Sequence, residues 1–352
     1  MPEVVLKTGL PSWLNYAMTI TGITALTSAA LLYIYQCKLI YPAAFPEGSR
    51  EMVAKPSQYG MSFTEETLTT KDNVKLKAYV ILQEIDAERV PTILYFHVNA
   101  GNMGHRLPIA KVLYEKCNCN IVMLSYRGYG KSEGKPNEKG LRIDSQTLLE
   151  YVKEHTILSK TPLVAYGQSI GGAVAIDLVS RNEDVFSGLM LENTFLSLPK
   201  LIPSVMPFLK YFTFLCHQQW PSEKNIQRIV NTPILFLSGA KDELVPPSHM
   251  VKLHELNESR AGNTWVPFPN GMHNDTCMQP GYFRAIKEYL GESVLKEGKT
   301  STLDQSTLDQ SYVDGKLVDE ENDQAYQLVS GVTDEKGMTH SFQVEEIELD
   351  EE

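Results

Sequence analysis

The chain has 352 residues, 43% hydrophobic and 21% charged, which suits one large globular domain with appendages. Its net charge of −11 is concentrated at the end: residues 299–352 hold fifteen Asp/Glu against three Lys, so the remainder is near neutral. A neutral body without a basic stripe argues against a nucleic-acid partner. Five cysteines (Cys37, Cys117, Cys119, Cys216, Cys277) without metal-ligand spacing argue against a cysteine-built metal site.

After a short segment, residues 1–12, no charge occurs between Lys7 and Lys38. Residues 13–36 are largely apolar and meet the length of about 20 residues that a bilayer requires. Trp13 and Tyr16 at one end, with Tyr33, Tyr35 and Tyr41 at the other, resemble an aromatic belt. The run is long for a cleaved signal peptide and lacks a basic leader, so a retained signal-anchor helix is expected, with the lipid bilayer as its partner. Residues 37–62 read as a linker, and residues 63–294 as the folded domain.

Within that domain, residues 64–70 and 74–82 alternate like a hairpin around Lys71-Asp72-Asn73. Apolar strands follow at 92–97, 120–125, 162–166, 187–191, 233–238 and 264–268, with helical segments such as 106–116 and 144–155 between them. Strand–helix alternation of this kind predicts an α/β fold with a mostly parallel central sheet flanked by helices. A lid-like insertion at about 195–225, rich in Pro and aromatics, interrupts it and offers an apolar wall for an acyl or lipid-like group. Residues 295–352 are polar and acidic and begin with a repeat, Ser301-Thr302-Leu303-Asp304-Gln305 then Ser306-Thr307-Leu308-Asp309-Gln310. That composition predicts a disordered tail with no specified protein partner.

The chemistry centres on Gly167-Gln168-Ser169-Ile170-Gly171, between the apolar strand 162–166 and an apolar helix-compatible run. G-x-S-x-G in a strand-to-helix turn is the nucleophile-elbow pattern, whose flanking positions must be small because strand and helix nearly touch. A serine nucleophile needs a base, and the base needs an acid, in the chain order Ser, acid, His. His273, in a Gly-containing loop after the last strand, is the candidate base; His249 and His254 read as a solvated helix face and His217 falls in the insertion. Asp242, on a turn after strand 233–238, is the candidate acid, with Glu192 as understudy and Glu243 expected to point elsewhere. The backbone N–H groups of Ile170 and Asn99 are the expected oxyanion donors, and His97 is expected to be structural. This scheme calls for no metal and no cofactor.

Several longer stretches go together: His97-Val98-Asn99-Ala100-Gly101-Asn102, Tyr126-Arg127-Gly128-Tyr129-Gly130-Lys131-Ser132-Glu133-Gly134, Glu192-Asn193-Thr194-Phe195, and Gly271-Met272-His273-Asn274-Asp275-Thr276. With the elbow, they resemble the α/β-hydrolases of the bud-emergence type, from about residue 31 to residue 290. The resemblance implies an α/β-hydrolase fold, a Ser169–Asp242–His273 triad and a single-pass type II membrane protein. One position departs from the pattern: Val98 stands where Gly usually follows the first His, and a β-branched residue is strained there if φ is positive. Two glycosylation sequons, at Asn257 and Asn274, matter only for a lumenal or extracellular domain. The expected function is a membrane-anchored serine hydrolase acting on an ester or thioester of a lipid or acylated substrate. The alternative is a non-catalytic membrane adaptor on the same scaffold.

Overall fold

The computed structural model describes residues 12–296 and four further strands between residues 312 and 348. Helix α1 (Ser12–Ile40) contains the apolar run. By length and composition its stretch Trp13–Ile40 is able to cross a membrane, with a mean hydropathy of 1.6. At about 1.5 Å per residue α1 is roughly 43 Å long, well beyond the roughly 30 Å hydrocarbon layer.

The domain is an eight-stranded sheet: β1 (Thr64–Thr69), β2 (Lys75–Ile81), β3 (Thr92–Phe96), β4 (Asn120–Ser125), β5 (Leu163–Gln168), β6 (Gly188–Glu192), β7 (Ile234–Gly239) and β8 (Asn263–Phe268). The order across the sheet is β1-β2-β4-β3-β5-β6-β7-β8. β1 and β2 form an antiparallel hairpin turned by Asn73 at φ 60°, and β2 also pairs antiparallel with β4. All other pairings are parallel.

Strands β3 to β7 are buried along their whole length, as continuous apolar runs in a two-sided sheet must be. Alternate side chains feed opposite layers. Leu94, Phe96, Val122 and Leu124 join a core with α3 (Glu138–Glu154) and α4 (Ile170–Arg181). Ile93, Tyr95, Ile121 and Met123 join one with α2 (Leu107–Lys116) and a C-terminal helix, Tyr282–Tyr289. α3 starts before the predicted 144–155, because Asn137 caps it by accepting the Gly140 N–H at 2.9 Å.

Two stretches outside the eight-stranded sheet also carry described structure. Residues 37–62, expected as a linker, pack in part against the domain. Tyr41 is buried, and its hydroxyl accepts from Trp220 Nε1 (2.9 Å) and donates to Gln218 Oε1 (3.0 Å). Met61 is buried, and Asn102 Nδ2 donates to the carbonyls of Ser49 and Met52 at 2.8 and 3.0 Å. The acidic tail, expected to be disordered, contains β9 (Tyr312–Val313), β10 (Lys316–Val318), β11 (Gln324–Ser330) and β12 (Phe342–Glu348) in an antiparallel sheet. β-Formers such as Tyr326, Val329, Val344 and Ile347 are spaced among its acids, and a composition average hides them. The five cysteines are free thiols.

Tyr41→Phe would leave the buried Trp220 N–H without its acceptor. It is expected to cost about 1–3 kcal/mol of stability, read as a lower thermal midpoint of the full-length protein in detergent; an unchanged midpoint would contradict this account of the junction.

Candidate active site

Ser169 closes β5 and caps α4 with φ 55° and ψ −121°, a strained backbone for a residue with a side chain. The strain is held from both sides: the Ser169 N–H donates to the Glu192 carbonyl at 2.9 Å, and Thr194 Oγ1 donates to the Ser169 carbonyl at 2.7 Å. The small residues follow from contact. A Cβ on Gly171 would stand 2.0 Å from the Phe96 carbonyl oxygen, and one on Gly167 would stand 2.1 Å from the Gly171 oxygen. Strand and helix therefore touch backbone to backbone, and the serine is turned outward.

His273 lies after β8 and Asp242 after β7. His273 Nδ1 donates to Asp242 Oδ2 at 2.8 Å. The other carboxylate oxygen accepts the N–H groups of Leu244 (2.9 Å) and Val245 (2.7 Å), so the acid is fixed in orientation. This arrangement puts the imidazole proton on Nδ1 and leaves Nε2 as a proton acceptor.

The loop that carries His273 is anchored by residues whose part was not legible in the sequence. The His273 carbonyl accepts from Gln168 Nε2 (3.0 Å) and Asn193 Nδ2 (3.2 Å). Its N–H donates to Glu243 Oε2 at 3.0 Å, so Glu243 does face the site loop after all. Glu192 does not approach the imidazole as an acid. It is buried behind the elbow, where Tyr166 and Tyr282 hydroxyls donate to it at 2.5 and 2.6 Å, and burial pushes its pKa up. His249 is not solvated: it is buried, and its Nδ1 accepts the Leu196 N–H at 3.2 Å. His217 instead meets α1, its ring 4.9 Å from that of Tyr33.

Ile170 is the first residue of α4, where the helix dipole favours negative charge, and Asn99 follows β3. Neither backbone N–H has an acceptor among the described residues. Val98 does not have a positive φ; the left-handed position in this loop is Gly101, at φ 76°. The strain expected of a β-branched residue at Val98 is therefore absent. His97 is structural, its Nδ1 donating to the Val98 carbonyl at 2.7 Å, and burial pushes its pKa down to about 3, which keeps it neutral.

The Tyr126–Gly134 stretch turns out to brace this loop. Tyr126 and Tyr129 hydroxyls donate to the carbonyls of His97 (3.0 Å) and Asn99 (2.7 Å). Arg127 between them is tied to Asp72 and to buried Asp144.

Of the two sequons, Asn257 has its Nδ2, the atom a glycan would occupy, buried, while its Oδ1 accepts the Ser259 N–H at 2.9 Å. Asn274 is half-buried beside His273.

The family model described as "Serine aminopeptidase, S33" (Hydrolase_4) matches residues 92–229, which include the Asn99 loop and the elbow but not Asp242 or His273. Protein bem46 of Schizosaccharomyces pombe is 50% identical over 281 residues, 80% of this chain and 94% of that protein. The chain is an α/β-hydrolase of the bem46 type. An uncharacterized membrane protein of Saccharomyces cerevisiae, YNL320W, is 42% identical over 283 residues, 80% of this chain and 98% of that protein. The esterase Pf2001 of Pyrococcus furiosus shares the fold at a TM-score of 0.56 and 18% identity, over 69% of this chain and 98% of that one. The apolar helix and the membrane-protein relative together point to membrane association.

In this hydrolase one cavity of about 200 Å³ is lined by Ser169, His273, Asn99 and Ile170 together. The rest of its wall is mostly apolar. The predicted insertion supplies one side, as α5 (Leu198–Val205) and a 3₁₀ helix, Pro207–Leu215, through Leu201, Ile202 and Leu209. The other side is α1, through Leu32, Leu39 and Ile40. Gln36 pins the two together, donating to the Leu215 carbonyl (3.1 Å) and accepting the His217 N–H (2.8 Å). Asn99 Nδ2 in turn donates to the Ile40 carbonyl at 3.3 Å. A part for α1 in this cavity could not be found in the sequence, since nothing local links residues 32–40 to residues 99, 169 or 215.

Gly171→Ala is expected to destabilise the hydrolase severely, by several kcal/mol, since a backbone–backbone approach cannot yield as a side chain can. Failure to recover folded protein, or a sharply lowered thermal midpoint, would agree; wild-type stability would mean that elbow and strand are not in contact.

Proposed function

We propose that the chain is a membrane-anchored serine hydrolase cleaving the ester or thioester of a lipid or acylated substrate. Ser169 Oγ attacks the carbonyl carbon while His273 Nε2 takes its proton, and Asp242 holds the imidazole in the required tautomer and stabilises its charged form. The N–H groups of Asn99 and Ile170 receive the developing oxyanion. Collapse of the tetrahedral adduct breaks the bond to the alcohol or thiol, which leaves with the proton from His273. Water, deprotonated by the same imidazole, then attacks the acyl-enzyme and frees the acid and Ser169. The carrying observation is that Ser169, His273 and both donor residues line one cavity, with Asp242 bonded to His273. The apolar wall supports an acyl chain as the group bound.

The adaptor reading drew on Val98 and on the acidic, repeat-containing tail, and the unstrained backbone at Val98 removes the first of these supports. In the proposed topology α1 is a single-pass type II anchor, with the catalytic domain and the acidic tail on the far side of the membrane.

Ser169→Ala should abolish both fluorophosphonate labelling and ester hydrolysis while the protein stays folded, and Asp242→Asn should lower the rate about 10⁴-fold. Folded wild-type protein that takes up no label would sink the hydrolase reading. Protease added to sealed microsomes should leave the tail intact; complete digestion of the tail would rule out type II.

A further inference from the structure

The helical insertion keeps a large aromatic surface that the fold does not use. Phe208, Tyr211 and Phe214 are 74%, 74% and 77% exposed, and none lines the cavity. Scattered surface apolar residues are ordinary, but three large aromatics within seven residues form a patch. The place of this patch decides its partner. It belongs to the 3₁₀ helix that Gln36 pins to α1 and that Tyr33 flanks through His217.

The position of α1 sets the depth. A span of about 20 residues begun at Trp13 ends near Leu32. Leu32 is also the first residue of α1 to line the cavity. Below it the helix is exposed almost throughout, as a lipid-facing span would be; beyond it, Leu32, Gln36 and Ile40 repeat at helical spacing on the face turned to the domain. Were the bilayer core filled by residues 13–32, the cavity would stand level with its surface and the aromatic patch beside the emerging helix. Lys210, 4.8 Å above the Tyr211 ring, supplies a cation at the level of lipid headgroups.

We propose that the exposed face of the insertion, centred on Phe208, Tyr211 and Phe214, is a lipid-binding surface. It seats in the interfacial layer of the bilayer that α1 spans, so that acyl chains pass from the membrane into the cavity between α1 and the insertion. The surface stands on the anchor reading of α1, and the delivery of acyl chains rests also on the proposed hydrolase activity. The substrate class is then narrower than an ester in water: an acyl chain already resident in the leaflet, on a lipid or on a membrane-held thioester.

The test uses the full-length protein in phosphatidylcholine vesicles with brominated acyl chains, which quench tryptophan at close range. The difference between wild type and Trp13→Phe, which both keep Trp220 and Trp265, isolates Trp13 as the reporter of the anchor. In a Trp13→Phe background, Phe208→Trp reports the surface against Trp13→Phe alone. The expected result is quenching of both reporters. In parallel, Phe208→Asp combined with Phe214→Asp should lower turnover of a vesicle-borne long-chain ester about tenfold or more, by loss of buried aromatic area. Hydrolysis of a water-soluble acetyl ester should stay within about twofold, since neither residue touches the cavity. An unquenched Phe208→Trp beside a quenched Trp13 overturns the lipid surface and would favour a protein or a second copy on the patch. An unquenched Trp13 overturns the anchor and the surface with it. Equal loss on both esters overturns delivery of the chain from the membrane. Quenching at Phe208→Trp, together with a wild-type protein that hydrolyses neither ester, upholds the surface and refutes only the hydrolase reading.

Discussion

The structure depends on the backbone contact between Gly171 and the end of β3. With the Phe96 carbonyl only 2.0 Å from where a Cβ would stand, α4 is pressed against the central strand. That approach forces Ser169 into its left-handed turn and fixes where its hydroxyl can go. It also brings the N-terminus of α4 beside the loop that leaves β3, so that Ile170 and Asn99 end on one cavity. The same closeness that costs the chain a strained residue thus places the start of α4 and the loop after β3 on one cavity wall.

Around this contact the polar residues form braces more than reactive groups. Asp242 spends one oxygen on His273 and the other on two backbone N–H groups, so the carboxylate cannot rotate away. Gln168, Asn193 and Glu243 fasten the backbone of His273. Tyr126 and Tyr129 fasten the loop opposite. Reactive side chains held this way need little reorganisation, which is where most electrostatic stabilisation arises.

The second theme is the use of α1. A helix longer than a bilayer is thick has residues to spare, and here the surplus becomes a wall of the cavity. An anchor is usually a tether. Here the helix that is long and apolar enough to span a bilayer also lends Leu32, Leu39 and Ile40 to the apolar wall of the cavity.

Much of this was legible in the sequence, and for identifiable reasons. Gly167, Ser169 and Gly171 announce the elbow because sterics admit few residues there. Apolar runs at 92–97 and 162–166 announce buried strands, and a charge-free stretch after Lys7 announces α1. Chain order together with position in a loop after a strand pointed to Asp242 and His273, which the fold does bring into contact. The order of the strands was not legible, nor the packing of residues 37–62, the strands within the acidic tail, the burial of His249, or the relaxed φ at Val98. Local pattern records periodicity, sterics and spacing, which act within a few residues. Which distant segments share a wall, as Leu32, Asn99, Ser169 and Leu209 do, is decided only when the sheet closes and side chains compete for the same buried volume.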